Sequence, residues 1–326
     1  MFRQLRVQII HPCRAQCAWC STHRKNPLFQ ALSDSGEAER YHDTYLEVIR
    51  HFEPEELFIS GGEPLAYPGL ASFLRAAAEV VRTIHVFTSY QFAPGVMERF
   101  GNQSLPTAQL VLNHTPIYFE PRRWHALTRG FPFDVYLENI KRAVTLPVRK
   151  RFKLILNHER CVEEIRRFRE LVEPDESCEI SLKLMNDQGD GLLQDTLERT
   201  AQRVHGRLGD LDQVLAEAGW ENGPRPRSSV DMVKEVLQTG DVERCVYRRE
   251  PLELRLALKR SAAGAQILRY RYCPFFPPEA GHNLHLGRDP ISKLAKNYHK
   301  GPFREHCHRC RLLNYRGGVP VAEPRA

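Results

Sequence analysis

The chain has 326 residues, 42% of them hydrophobic and 27% charged, with a formal net charge of +7. That composition describes a water-soluble globular protein, long enough to bury a sizeable core and carry one large unit plus a small appendage. It contains no run of about eighteen apolar residues and no charged-then-apolar leader, so no membrane partner is expected and the chain reads as cytoplasmic. Nine cysteines in a reducing compartment argue for metal ligation rather than disulfides. The basic residues fall in short clusters, Arg122-Arg123, Arg149-Lys150-Arg151 and Arg166-Arg167. They read as solvated helix faces, with attraction for an anionic substrate as the sharper alternative.

The first strand is expected over Leu5 to Ile10, and it delivers the loop Cys13-Arg-Ala-Gln-Cys17-Ala-Trp19-Cys20. Three closely spaced thiolates suit a cubane iron-sulfur cluster, wrapping one corner and leaving one iron open to a small molecule. A zinc knuckle short of one ligand is the alternative. The C-x3-C-x2-C spacing, with Trp19 before the last cysteine, resembles the signature of the radical S-adenosylmethionine (radical SAM) enzymes. A helix from about Gly36 follows, with Tyr45, Val48, Ile49 and Phe52 on one face. The second strand, Leu57 to Ser60, ends in Gly61-Gly62-Glu63-Pro64. The two glycines let a ligand approach the backbone, and the proline fixes the turn. This stretch resembles the G-G-E-P motif of the same family, which implies that Glu63 receives the ammonium of S-adenosylmethionine.

A helix with Leu70, Phe73, Leu74, Ala77 and Val81 inward leads to a third strand, Ile84 to Thr88, and a helical segment after Pro94. The fourth strand, Gln109 to Asn113, precedes an irregular stretch and a helix opened by Asp134 as N-cap, with Leu137, Ile140 and Val144 inward. Phe152 to Leu156 is the fifth strand, Val162 to Val172 its helix, and Glu179 to Met185 the sixth strand. Six short strands alternating with helices argue for an α/β fold of parallel βα units. The family resemblance, covering roughly residues 1–190, implies a partial (βα)6 TIM-like barrel. Chemistry in such barrels gathers at the C-terminal strand ends. That makes Thr88, Ser89, Asn113, His114, Asn157, His158, Lys183 and Asn186 candidates, with Lys183 and His158 as possible general bases. By resemblance, Asn113 lies where a small polar residue contacts the cofactor. The cofactor-contact set is therefore Trp19, Gly61, Gly62, Glu63, Pro64, Ser89 and Asn113.

Residues 191–240 read as a helical connector, and 241–326 as a small cysteine-rich domain. In it, alternating leucines in Pro251 to Leu258 and the alternation of Ile267 to Tyr272 predict a β-hairpin that brings Cys245 and Cys273 together. Cys307-His-Arg-Cys310 supplies two more thiols, and the four make a closed site. Lone Cys161 and Cys178 read as buried small apolar residues. The arrangement resembles the twitch domain of radical SAM enzymes, implying a second 4Fe-4S cluster, with structural zinc as the alternative, aided by His306 and His308. The resemblance implies an oxidoreductase-like enzyme. It would take an electron from a donor such as flavodoxin or ferredoxin, cleave S-adenosylmethionine to a 5'-deoxyadenosyl radical, and abstract a substrate hydrogen. The expected substrate is a small polar metabolite of the sugar, aminocyclitol or nucleoside type, because the sequence starts directly at the first strand. A peptide-modifying maturase is the runner-up. A zinc protein that binds nucleic acid is a distant third, since the basic residues form no stripe.

Overall fold

The computed structural model describes residues 2–15, 20, 26–116, 119–155, 161–172, 177–183, 253–260, 266–271, 282–285, 288–296, 315–316 and 319–320. Six strands, β1 (Gln4–Ile9), β2 (Glu56–Gly61), β3 (Thr83–Thr88), β4 (Leu110–His114), β5 (Arg149–Ile155) and β6 (Cys178–Lys183), lie side by side in chain order. Every neighbouring pair is parallel. Helices fill the connections: α1 (Asn26–Asp34) and α2 (Ala38–Phe52) after β1, α3 (Leu70–Ala78) after β2, and α4 (Val96–Gly101) after β3. α5 (Pro121–Thr128) and α6 (Phe133–Val144) follow β4, and α7 (Cys161–Val172) follows β5. This is the partial TIM-like α/β architecture anticipated from the alternation.

One face of the sheet builds the core. Leu5, Val7, Ile9, Leu57, Ile59, Ile84, Val86, Leu110 and Leu112 alternate toward the helices and join one cluster with Tyr41, Tyr45, Val48 and Ile49 of α2. Each fully buried side chain of this kind contributes about 1.5–3 kcal/mol. α2 forms because Tyr41, Tyr45, Val48, Ile49 and Phe52 recur with helical period on its buried face. It ends where Glu53 turns left-handed at φ 43° and returns its N–H to the Ile49 carbonyl, with Arg50 and His51 beside the negative helix end.

The differences from the sequence reading have local causes. α1 was not anticipated. α2 starts at Ala38, with Gly36 left-handed in the turn before it. The stretch after β4 taken as irregular contains α5, capped by Glu120, whose carboxylate accepts from Arg122 N and Arg123 N at 3.1 and 3.0 Å, with Pro121 next. Asp134 is not the N-cap of α6. Pro132 occupies that position, no side chain caps the helix, and Asp134 sits in the first turn, where its charge meets the positive helix end.

The predicted hairpin is present as β7 (Glu253–Arg260) and β8 (Gln266–Arg271), antiparallel, with Leu254 and Leu256 buried. Two further findings concern its place. A strand β9 (His282–His285) pairs with β8, and β7 lies parallel to β1, with Leu5 opposite Leu254 and Arg6 opposite Arg255. The hairpin thus continues the barrel sheet, whose order is β6-β5-β4-β3-β2-β1-β7-β8-β9. A short helix α8 (Lys293–Lys296) and a strand pair, β10 (Tyr315–Arg316) and β11 (Val319–Pro320), complete the described elements. Residues 191–240 lie outside the described residues. The division at 190 and 240 stands as our proposal, with the hairpin sharing the core's sheet.

Candidate active site

The chain leaving β1 packs directly on the end of β2. A Cβ added to Gly61, which has φ 142°, would lie 2.1 Å from the Ile9 carbonyl oxygen. One added to Gly62 would lie 1.7 Å from the His11 carbonyl oxygen and 3.2 Å from Cys13 N. Both glycines are therefore filled against by the protein's own chain, where the sequence reading expected an approaching ligand. Two helices fix the same segment. His42 of α2 accepts the Ile10 N–H at Nε2, 3.0 Å, and Ser33 of α1 donates to the Ile10 carbonyl at 3.3 Å. Burial, with His11 nearby as a second cause, lowers the His42 pKa to about 4, so it stays a neutral acceptor. The cysteine loop thus begins from a backbone held on three sides. Cys13 and Cys20 are half-buried on it, while Cys17 and Trp19 lie outside the described residues.

Glu63 is buried and follows the glycines. Its Oε1 accepts from Leu65 N at 3.2 Å and Thr88 Oγ1 at 2.7 Å, and its Oε2 accepts from Ser89 N at 2.8 Å and Ser89 Oγ at 2.6 Å. Four donors use the four acceptor positions of a carboxylate. Burial raises its pKa, and the four hydrogen bonds work against that rise. Glu63 thereby ties the end of β2 to the end of β3, and Pro64 opens the 3-10 turn that it caps. Two strand-end candidates, Thr88 and Ser89, are brought together here.

The network continues on the helix side of the sheet. The Thr88 carbonyl accepts from His114 Nδ1 at 2.9 Å, and His114 Nε2 accepts from Tyr136 Oη at 2.8 Å. Burial lowers the His114 pKa to about 4, which fixes a neutral ring with its proton on Nδ1. Tyr90, left-handed at φ 57°, donates its N–H to Thr88 Oγ1 and holds this turn.

Asn113 faces the other way. Its Nδ2 donates to Val111 O at 3.1 Å and to His85 Nδ1 at 3.3 Å, and His85 stacks on Phe58 at 4.6 Å. Its Oδ1 is buried without a hydrogen-bond partner among the described residues. An orphaned acceptor at a strand end suits a ligand that brings a donor. Asn113 is not hydrogen-bonded to the Glu63 cluster; the two sit on opposite faces. Lys183 ends β6 opposite Ile155. His158 and all four C-terminal cysteines, Cys245, Cys273, Cys307 and Cys310, lie outside the described residues. Sequence reasoning missed Ser33, His42 and Tyr136, whose roles come from long-range packing. Among the described residues no helix is long and apolar enough to cross a membrane.

No family model and no curated protein matches the sequence. Among solved structures, Streptococcus suis SuiB bound to S-adenosylmethionine aligns over 96% of this chain and 71% of its own, at TM-score 0.54 and 12% identity. SuiB bound to precursor peptide SuiA aligns over 96% and 70%, at TM-score 0.53 and 14% identity. In another SuiB structure the alignment spans 64% of this chain and less than half, 47%, of that one, at TM-score 0.43 and 13% identity. At these identities the likeness is one of fold.

Proposed function

We propose that this chain is a radical SAM enzyme that modifies a peptide. The observation that carries this reading is the junction where the cysteine loop leaves β1 against Gly61 and Gly62, with Glu63 fixing the neighbouring strand ends. Cys13, Cys17 and Cys20 would hold a 4Fe-4S cluster. Soft thiolates are the right donors for it, and a loop anchored by His42 and Ser33 suits a site needing fixed ligands. When bound, the cluster and S-adenosylmethionine supply a 5'-deoxyadenosyl radical for hydrogen abstraction.

The chain's own residues hold, orient and shield. Glu63 would receive the cofactor ammonium as the hydroxyl of Ser89 or Thr88 turns away, exchanging one donor for a charged one. The orphaned Oδ1 of Asn113 offers an acceptor to a bound hydroxyl or amine. Cys245, Cys273, Cys307 and Cys310 would hold a second 4Fe-4S cluster, with zinc as the alternative. An electron donor of the flavodoxin or ferredoxin kind fits a chain that needs reducing equivalents.

The small-metabolite substrate expected from the sequence gives way to a peptide. The shared fold with a protein solved bound to its precursor peptide favours the latter. After anaerobic reconstitution with iron and sulfide, dithionite should drive 5'-deoxyadenosine release in the wild type and not in Cys20→Ala. A colourless zinc protein releasing none would overturn the reading.

A further inference from the structure

Helix α6 supports the Glu63 cluster from behind, through contacts that the proposed site does not use. Its buried face is Tyr136, Asn139, Ile140, Ala143 and Val144. A lone amide on such a face is costly to bury unless its polar atoms find partners. Asn139 finds two: its Nδ2 donates to the Tyr90 carbonyl at 3.0 Å and to the Phe92 carbonyl at 3.1 Å. Both carbonyls belong to the turn that follows β3.

Each peptide group of that turn is planar, so fixing its carbonyl also aims the N–H on its other side. The Tyr90 carbonyl shares a peptide with Gln91 N, which donates to Ser89 Oγ at 3.1 Å, and Ser89 Oγ in turn donates to Glu63 Oε2 at 2.6 Å. The Thr88 carbonyl shares a peptide with Ser89 N, which donates to the same Oε2 at 2.8 Å. That carbonyl is held by His114 and, through it, by Tyr136. Two struts thus run from one face of α6 to one oxygen of Glu63. Between them stands Tyr90 at φ 57°, a left-handed backbone that a bulky aromatic residue adopts only where its surroundings enforce it.

We propose that Asn139 is a positioning residue for the cofactor site. By holding Tyr90 in its left-handed turn it orients Ser89, and through Ser89 it sets the direction in which Glu63 presents its carboxylate to the ammonium of S-adenosylmethionine. This rests on the radical SAM reading above. Asn139 acts at two removes, through Gln91 N–H and then Ser89 Oγ. Its second hydrogen bond, to the Phe92 carbonyl, pins the far end of the turn, so the turn cannot swing as a unit. A carboxylate oriented from behind needs no reordering when its ligand arrives, which strengthens binding without any contact between Asn139 and the ligand.

The test compares variants of the full, cluster-loaded chain. Asn139→Leu nearly keeps the volume of the amide and removes both donors; Asn139→Ala removes them too and serves should the first variant not fold. Ile140→Ala, at the buried position next to it, opens an apolar cavity and leaves both carbonyl contacts in place. Two quantities are read: amide hydrogen exchange over Thr88 to Phe92 without cofactor, and S-adenosylmethionine affinity by calorimetry. Loss of the Asn139 donors should speed exchange and weaken affinity about tenfold each, with wild-type iron content. Ile140→Ala should lower the melting temperature and leave the affinity unchanged. Unchanged exchange in the Asn139 variants, faster exchange with wild-type affinity, or an equal loss of affinity in Ile140→Ala overturns the proposal. A wild type that binds no S-adenosylmethionine overturns the radical SAM reading and the positioning role with it. Exchange, measured without cofactor, tells the two failures apart.

Discussion

On β4, Leu112 and Asn113 are adjacent and equally buried, each 1% exposed. Leu112 sits in the apolar row Val7–Ile59–Val86–Leu112, under the helices. Asn113 sits in the row with Phe87, Arg151 and Glu179, and keeps an acceptor with no donor among the described residues. One face of the sheet therefore carries mainly apolar packing and the other mainly aromatic, polar and charged side chains, and the strand ends join the two. The contrast teaches that burial alone does not separate an apolar packing residue from a buried polar one with bonding capacity to spare; what the polar atoms meet does.

The largest effect is expected where the faces meet. Gly62→Ala sets a methyl 1.7 Å from a backbone carbonyl that has no side chain to move aside. It should cost about 3 kcal/mol or more and disorder the cysteine loop, read as lost iron after reconstitution and a lower melting temperature. A variant with wild-type iron content would mean that the junction is loose. Next, Leu112→Ala should destabilise by about 2–5 kcal/mol in urea unfolding, the cost of a core cavity.

A pH titration sharpens the same contrast. His114 has a folded pKa of about 4, below its ordinary 6.5, so its contribution to stability is complete above pH 6.5 and is lost as pH falls through 4. A depression of that size corresponds to about 3 kcal/mol in total, and about 2 kcal/mol should vanish between pH 6.5 and 5. His114→Gln should flatten that slope in urea titrations. An unchanged slope would show that burial does not hold the His114 ring neutral.

On the inner face, Asn113→Ala should cost about 1 kcal/mol, because it gives up two neutral hydrogen bonds and an acceptor that has no partner among the described residues. A loss as large as that of Leu112→Ala would erase the distinction between the faces. The smallest effect belongs to Arg151→Gln, which breaks a partly exposed pair with Glu179 and should change stability by less than about 1 kcal/mol.

Much of the barrel was legible because its strands and helices differ in period, and because Gly61-Gly62-Glu63-Pro64 and the cysteine loop are contiguous. A basic ladder on β5 was written in the sequence too. Arg149, Arg151 and Lys153 alternate with Lys150, Phe152 and Leu154, but starting the strand at Phe152 grouped Arg149-Lys150-Arg151 as a surface cluster. The structure splits that cluster. Lys150 turns to the helix side, 2% exposed, with Nζ bonded to Ser177 Oγ at 2.5 Å, while its neighbours turn inward. α1 and α5 were missed because their signals, short amphipathic turns and a Glu-Pro cap, are weak beside the strands around them.

The sequence by itself determined the alternation of strands and helices, the hairpin and the two motifs that nominate the site. All of these depend on residues close together in the chain, where period, turn chemistry and spacing act directly. Only the tertiary structure decided that β7 lies beside β1, that the paired glycines make room for Ile9 and His11, that Glu63 is held by Ser89 and Thr88, and that Arg6 shares a face with Lys153. Alternation tells which residues of one strand face together; which strands are neighbours, and in what register, is set by packing between segments up to about 250 residues apart, as β1 and β7 are.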